Sequence, residues 1–109
     1  MHGYVNIIEV DLQQRNIRGR LPASFFNLTL LGDLSLASNK LFGTIPSTIG
    51  QLEVVVNMDL SYNRFTGSIS PEIGNCAELT LVYFYRNFLN GSIPATIGNL
   101  KKLELLKLT

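Results

Sequence analysis

Apolar residues return every 24 positions along the chain, and polar stretches separate them. The first apolar column consists of Ile7, Leu31, Val55, Leu79 and Leu103. Within each unit alternate residues are apolar, as in Leu34-Ser35-Leu36, and this alternation predicts a short strand. Because a single unit has no second layer against which to bury its leucines, we expect the units to stack and share one core.

Asparagine and glycine follow the same period. The asparagine column consists of Asn39, Asn63 and Asn87. Where the chain leaves a strand, its backbone groups lose their partners, so we expect these side chains to bond the turn of their own repeat and of the next. Arg15 stands where the first repeat would carry this asparagine, so the ladder is expected to be imperfect there. Gly43, Gly67 and Gly91 are expected to have positive φ or to allow close backbone approach.

The columns predict one solenoid over residues 1–109, with repeats starting near residues 7, 31, 55, 79 and 103. The fold class is an α/β-type solenoid made mostly of short strands, loops and 3₁₀ turns, with its strands in one parallel sheet. We expect this solenoid to hold about four and a half repeats and to lack terminal caps. Since uncapped ends expose leucines and strand edges, we expect marginal stability and self-association through these ends.

Charge and residue content argue against several classes of protein. A formal net charge of +1 gives no basic field for nucleic acid. Cys76 is the only cysteine and His2 the only histidine, so an internal disulfide, a cysteine-based zinc site and a histidine-based catalytic triad are not expected. Asp11 and Asp59 lie two repeats apart, about 10 Å, and are read as solvated carboxylates. We expect no enzyme, cofactor or metal site, and a buried, unreactive Cys76.

Targeting and modification signals are few. Residues 1–10 lack the charged start and apolar stretch of a secretory signal, and the apolar run over residues 79–85 is too short to span a bilayer. We therefore expect no membrane contact by this segment. Asn27 and Asn90 begin Asn-x-Ser/Thr sequons and are candidate glycosylation sites if the chain is secreted.

Residues 31–52 read LGDLSLASNKLFGTIPSTIGQL and closely resemble the plant-type leucine-rich repeat, LxxLxLxxNxLxGxIPxxIGxL. The third repeat departs from the pattern, because Ser70 takes the proline position and Pro71 comes one residue late. The resemblance implies a right-handed superhelix with a concave parallel sheet, and a second short strand around each Gly-x-Ile segment. The chain is in this respect similar to the ectodomains of plant receptor-like kinases, which recognise peptides, microbial molecules and co-receptors.

The side chains between the buried positions of each strand point out of the concave face. In the third and fourth repeats they change from acidic and small polar groups to aromatic and basic ones. The candidate ligand-binding residues are Tyr62, Arg64, Leu81, Tyr83, Tyr85, Arg86 and Phe88. Tyrosine and arginine often dominate interface energetics, since they bury area and still form hydrogen bonds. The alternative is that these aromatic rings only pack along the sheet as cross-strand neighbours.

The resemblance therefore implies a protein- or ligand-binding module of a plant receptor-like kinase ectodomain, acting in signal perception or defence outside the cell. Its partner would be a protein or peptide ligand, or a co-receptor ectodomain. One alternative is a soluble defence protein similar to the polygalacturonase inhibitors. Another is an ice-binding or structural repeat array, but the irregular outward columns of this chain argue against flat, regular ladders.

Overall fold

The computed structural model describes residues 8–109, which form nine short strands and four 3₁₀ helices. The strands are β1 (Ile8–Asp11), β2 (Arg18–Arg20), β3 (Leu31–Ser35), β4 (Lys40–Thr44), β5 (Asn57–Asp59), β6 (Arg64–Gly67), β7 (Leu81–Tyr83), β8 (Phe88–Leu89) and β9 (Leu105–Lys107). The 3₁₀ helices are Ala23–Asn27, Ser47–Gln51, Pro71–Asn75 and Ala95–Asn99. Ile7, the predicted start of the first repeat, lies outside the described residues.

The strands alternate between two parallel sheets. The main sheet has the order β1-β3-β5-β7-β9, and the second sheet has the order β2-β4-β6-β8. Each 3₁₀ helix returns the chain from the second sheet to the next strand of the main sheet. The predicted solenoid of stacked units, with a second short strand in each repeat, is confirmed.

The two sheets differ in register. In the main sheet residues lie opposite those 24 positions on, as Leu34 lies opposite Met58, except at the start of β1, where Ile8 lies opposite Leu31 and the register shifts. In the second sheet the partner is 22 positions on, as Arg18 lies opposite Lys40 and Phe42 opposite Arg64. Residues of one sequence column are therefore neighbours in the main sheet but are staggered by two positions in the second.

The interior of the solenoid is filled by the predicted columns. Phe65, Phe84 and the leucines of the central repeats are fully buried, in one continuous cluster. Leu28 differs from the prediction, since its side chain is 47% exposed while that of Phe26 is fully buried. Leu28 follows the first 3₁₀ helix, at the edge of the described stack, and the larger ring of Phe26 occupies the core of this coil.

The asparagine ladder links neighbouring repeats. The side-chain oxygen of Asn63 accepts a hydrogen bond from the Leu41 amide at 3.1 Å, and its nitrogen donates to Leu36 O at 2.9 Å. Asn39 and Asn87 make the equivalent bonds one repeat earlier and later, to the Ile17 and Phe65 amides and to Leu12 O and Leu60 O. The expectation that each asparagine bonds the following repeat is wrong, because the side chain reaches back to the preceding one. The ladder begins at Asn39 among the described residues.

Left-handed backbone recurs at two places in each repeat. The expected positive φ is confirmed at Gly43, Gly67 and Gly91, with values of 83°, 78° and 79°. A second left-handed column, not foreseen, consists of Gln14, Ser38, Tyr62 and Arg86, with φ between 55° and 59°. Non-glycine residues adopt this region only when the surroundings impose it. Since the column recurs in four consecutive repeats, it belongs to the turn after the main strand.

Candidate recognition surface

The predicted contact residues come from β7 and from the turns that follow β5 and β7. Leu81 and Tyr83 flank the fully buried Val82, so their side chains point to the outer face of the main sheet. Tyr62 and Arg86 occupy the left-handed turn positions, and both side chains are exposed. The turn backbone therefore fixes the direction in which these two side chains leave the solenoid.

Three tyrosines form an edge-to-face cluster on this face. The ring centroids of Tyr62 and Tyr85 lie 5.3 Å apart, and those of Tyr83 and Tyr85 lie 6.0 Å apart. Lys107 lies on the next strand, β9, and its Nζ is 4.4 Å from the centroid of the Tyr85 ring. We call Tyr62, Tyr83, Tyr85 and Arg86, together with Lys107, the tyrosine surface.

A cleft of about 470 Å³ opens beside the tyrosine surface. Its lining includes Tyr62, Tyr85, Arg86 and Lys107, but also Phe84, Leu89 and Leu108, which belong to or pack against the core. Part of the cleft is therefore the uncovered end of the stack at β9. The cleft combines aromatic faces with two cationic groups, an arrangement suited to a peptide that carries a carboxylate or carbonyl beside an apolar side chain. Lys107 was absent from the predicted contact residues, although its place in the same outward column as Tyr83 could have indicated it.

A smaller hollow of about 210 Å³ lies further along the main sheet. Its lining includes Asp33, Ser35, Asn57, Asp59, Leu81 and Tyr83. Leu81 lies opposite Asn57, and Asn57 lies opposite Asp33, so one row across the strands passes from acidic to polar to apolar. The hollow borders the tyrosine surface through Tyr83, and together they make one outward face of graded polarity.

Arg64 and Phe88 do not lie on this face, which corrects their predicted placement. Arg64 begins β6 and Phe88 begins β8, and both strands belong to the second sheet. The turn held by the asparagine ladder takes the chain out of the main sheet before these positions. Of the seven predicted contact residues, the structure thus brings five to the outer face of the main sheet and its turns.

Carboxylates of the main sheet bond their own turns. Asp59 Oδ1 accepts from the Ser61 amide at 3.0 Å and from the Ser61 hydroxyl at 2.5 Å. Asp11 accepts from the Gln13 amide at 3.2 Å. Asp11 lies opposite Ser35, which lies opposite Asp59, so the two carboxylates are separated by two strand spacings, about 10 Å. Their hydrogen bonds give each a structural role in a turn.

Cys76 lies in the core, where its Sγ donates a hydrogen bond to Ile49 O at 3.3 Å. Burial raises the pKa of the Cys76 thiol to about 12, because the thiolate would lose its hydration. The thiol therefore stays protonated at neutral pH and is a poor nucleophile. Cys76 behaves as the small buried hydrophobe that its column predicts.

The two sequons lie at the surface. Asn27 ends the first 3₁₀ helix and Asn90 follows β8, and both are exposed.

Within residues 8–109, no cluster of three or more histidine, cysteine or acidic side chains is arranged to hold a metal ion. In the same part of the chain, every helix is too short to cross a bilayer.

Comparison with known proteins identifies the repeat. The model of the Leucine Rich Repeat family matches residues 31–52 and 55–76. No curated protein sequence matches the chain significantly. The ectodomain of the Arabidopsis thaliana receptor kinase GASSHO1/SCHENGEN3, in complex with CASPARIAN STRIP INTEGRITY FACTOR 2, is 41% identical with a TM-score of 0.91. That match covers 95% of this chain and 12% of the ectodomain chain. The chain is a plant-type leucine-rich-repeat solenoid.

Other plant receptor structures match this leucine-rich-repeat solenoid in the same way. The Arabidopsis receptor kinase HAESA, in complex with the peptide hormone IDA and the co-receptor SERK1, is 33% identical with a TM-score of 0.88. The match covers 93% of this chain and 17% of that one. A chain of the BIR3–SERK2 complex from Arabidopsis thaliana is 37% identical with a TM-score of 0.85, over 91% of this chain and 53% of that one. The solenoid thus spans between 12% and 53% of the length of these three chains.

Proposed function

We propose that this solenoid is a protein- or peptide-binding module of a plant receptor-like kinase ectodomain, and that it binds without catalysing a reaction. The observation that carries the proposal is the tyrosine surface, where three aromatic rings, Arg86 and Lys107 lie together on the outer face of the main sheet and its turns. The structural relatives, which hold peptide hormones or co-receptors in their complexes, support a partner of the same kind.

Packing among the tyrosines supports recognition as well as stability. Edge-to-face contacts of this type contribute roughly 0.5–1.5 kcal/mol each beyond area burial. The rings nevertheless stay accessible, and Tyr62 is 49% exposed. Because the cluster is held in place before a ligand arrives, less side-chain entropy is lost on binding. The two interpretations of these aromatic residues are therefore compatible.

The proposed setting is the extracellular side of the plasma membrane or the cell wall, in signal perception or defence. Exposure of Asn27 and Asn90 supports their proposed glycosylation there. The candidate partners are a peptide ligand and a co-receptor ectodomain. A net charge of +1 argues against nucleic acid as the ligand.

Replacing Tyr83 by alanine together with Arg86 by asparagine is expected to weaken partner binding roughly a hundredfold, about 2.7 kcal/mol. Asparagine is chosen at residue 86 because it tolerates the left-handed backbone, with φ of 59°, while the guanidinium is lost. Biosensor measurements would first select a partner from a panel of signalling peptides, co-receptor ectodomains and cell-wall polygalacturonases. The affinity of the double variant for that partner would then be compared with that of wild type.

The matched control is Glu53→Ala, which removes an exposed side chain on the returning segment and should leave affinity within twofold. Unchanged affinity in the double variant would remove Tyr83 and Arg86 from the site. Selection of a polygalacturonase alone would favour the soluble inhibitor alternative. If no peptide or protein on the panel bound at millimolar concentration, the proposed function would be contradicted.

We also propose that the solenoid self-associates through its ends. Ile8, Leu28 and Leu30 are exposed at the β1 end, and Ile93 and Leu105 at the β9 end. Edge strands with neighbouring apolar side chains favour pairing with another chain. Sedimentation velocity of the 109-residue chain should therefore show an average mass that rises with protein concentration. A single monomeric species with cooperative thermal unfolding across the concentration range would rule this out.

A further inference from the structure

The outer face of the second sheet carries four exposed cations. We call Arg18, Arg20, Lys40 and Arg64 the basic face. No strand of the second sheet contains an acidic residue. Four of the eight acidic residues, including Asp33 and Asp59, lie on strands of the main sheet, and the other four lie on the returning segments. A net charge of only +1 therefore hides one face that carries cations without carboxylates.

The stagger of the second sheet arranges these cations around one aromatic ring. Arg20 lies opposite Phe42, and Phe42 lies opposite Arg64 on the next strand. Neighbouring strands are about 4.8 Å apart, and alternate residues on a strand are about 6.7 Å apart. The Arg18 and Arg20 guanidinium carbons lie 5.9 Å and 5.2 Å from the centroid of the Phe42 ring. The four positive side chains thus share a small area.

Backbone geometry places Arg20 against β4. A Cβ atom at Gly43 would come within 2.6 Å of Arg20 Nη1, so the arginine side chain lies where another residue type would block it. Gly43 also has a φ of 83°, which glycine adopts readily. The absence of a side chain at Gly43 thus leaves room for the guanidinium over the sheet and beside Phe42.

No carboxylate of the chain balances these cations. Among residues 8–109 the only ion pair joins Lys102 to Glu78, on the returning side. The sequence of residues 1–7 contains no acidic residue. Like charges gathered without counter-charges repel one another, so a face of this kind is best satisfied by an anionic partner.

The basic face is continuous with an exposed aromatic residue. Thr44 lies opposite Thr66, and Thr66 lies opposite Phe88, whose side chain is 67% exposed. The second sheet therefore presents cations at one end and an apolar ring at the other. A matching ligand carries carboxylates next to an apolar side chain, a combination that a peptide segment supplies and a uniform sugar acid polymer does not.

We propose that the basic face and Phe88 dock an extended acidic segment of a partner protein. In an extended peptide, alternate side chains on one side are about 6.7 Å apart, which equals the spacing of Arg18 and Arg20 along β2. Arginine also binds carboxylates through two parallel hydrogen bonds. This surface lies on the second sheet, whereas the tyrosine surface lies on the main sheet and its turns, so the two are distinct candidate sites.

The test uses the unglycosylated 109-residue chain and a fluorescein-labelled peptide of alternating glutamate and threonine that ends in two leucines. Fluorescence anisotropy at low and physiological salt should show binding that weakens as salt increases. The double variant Arg20→Gln with Arg64→Gln should lose at least about tenfold in affinity, about 1.4 kcal/mol. The matched control, Lys101→Gln with Lys102→Gln, removes the same charge on the returning side and should change affinity less than twofold.

Phe88→Ala provides the second arm of the test. It should weaken binding of the leucine-tailed peptide, while a peptide without leucines should bind the variant and wild type equally. If the arginine double variant and the lysine double variant lost the same affinity, the proposal would be overturned. Equally tight binding of a peptide in which glutamine replaces every glutamate would also overturn it. Tighter binding of a polyuronate or of single-stranded DNA than of the peptide would overturn it too. If the arginine double variant does not fold, Arg64→Gln alone supplies the comparison.

Discussion

Replacing Phe65 by alanine is expected to lower the free energy of unfolding by about 3–5 kcal/mol. The ring is fully buried in β6, and the residues of its column in the adjacent repeats, Leu41 and Leu89, belong to or pack against the same core. Parallel ladders on both sides of β6 prevent the coils from closing around the cavity that alanine would leave. A protein of this size has only about 5–15 kcal/mol of stability, so this loss would remove between about a fifth and all of it.

Urea denaturation followed by circular dichroism would measure this loss. The matched control is Phe88→Ala, because Phe88 is 67% exposed and its removal should cost less than about 0.5 kcal/mol. Phe65→Leu should cost less than about 1.5 kcal/mol, since leucine fills the same column at residues 41 and 89. Similar losses for the alanine variants of Phe65 and Phe88 would show that the column does not form the core.

The main sheet follows directly from the repeat in the sequence. Apolar residues 24 positions apart, such as Leu34, Met58 and Val82, became cross-strand neighbours with their side chains inside. The register of the main sheet could be predicted because a shift by one residue would turn every buried side chain to solvent. The period and the alternation of polarity are therefore sufficient to define the register of this sheet.

The second sheet shows where the period is insufficient. Its strands are staggered by two residues per repeat, and the sequence columns give no measure of such an offset. The asparagine side chains bridge this offset, because Asn63 accepts a hydrogen bond from the Leu41 amide, 22 positions earlier, near the start of the preceding second strand. A register that depends on the reach of one side chain cannot be read from a pattern of apolar residues.

The candidate site could be predicted only in part from the sequence. Tyr83 and Leu81 lie where strand alternation places them, and Tyr62 and Arg86 follow from the turn that comes after each strand. The cluster geometry depends on side-chain rotamers, which the sequence does not specify. Arg64 and Phe88 were misplaced for a definite reason: the outward columns were extended beyond the asparagine, where the chain has already entered the second sheet.

The two-residue offset of the second sheet also determines which cationic side chains are neighbours on its surface. In sequence columns Arg64 belongs with Lys40 and Phe88, whereas in the sheet Arg64 lies opposite Phe42. The basic face arises from this offset, since without it Arg20 and Arg64 would not flank the same ring. The asparagine ladder therefore spans the same two-residue offset that brings the surface cations around one ring.

Replacing Asn63 by alanine is expected to lower the free energy of unfolding by about 3–4 kcal/mol. Its side chain is buried and makes four hydrogen bonds with backbone groups. All three carbonyls keep a partner, because Leu36 O also accepts from Asn39, Leu60 O from Asn87 and Ser61 O from the Ser38 amide. The Leu41 amide has no such second partner and would be left buried without an acceptor.

Asn63→Asp separates the two halves of this interaction. Aspartate keeps an acceptor for the Leu41 amide but removes the donor and faces the carbonyls of Leu36, Leu60 and Ser61 with a negative charge. Since burial and these carbonyls disfavour the charged form, its destabilisation should be larger at pH 7 than at pH 4. Asn99→Ala, on an exposed residue of the last 3₁₀ helix, is the matched control and should cost less than about 0.5 kcal/mol.

Urea denaturation at both pH values measures all three variants against wild type. A cost for Asn63→Ala as small as that for Asn99→Ala would mean that water replaces the side chain in the turn. The ladder would then contribute little to stability, and another feature would have to account for the two-residue offset. A pH-independent loss in Asn63→Asp would show that the carboxylate turns away from the carbonyls, so the donor bonds would not be what holds adjacent repeats together.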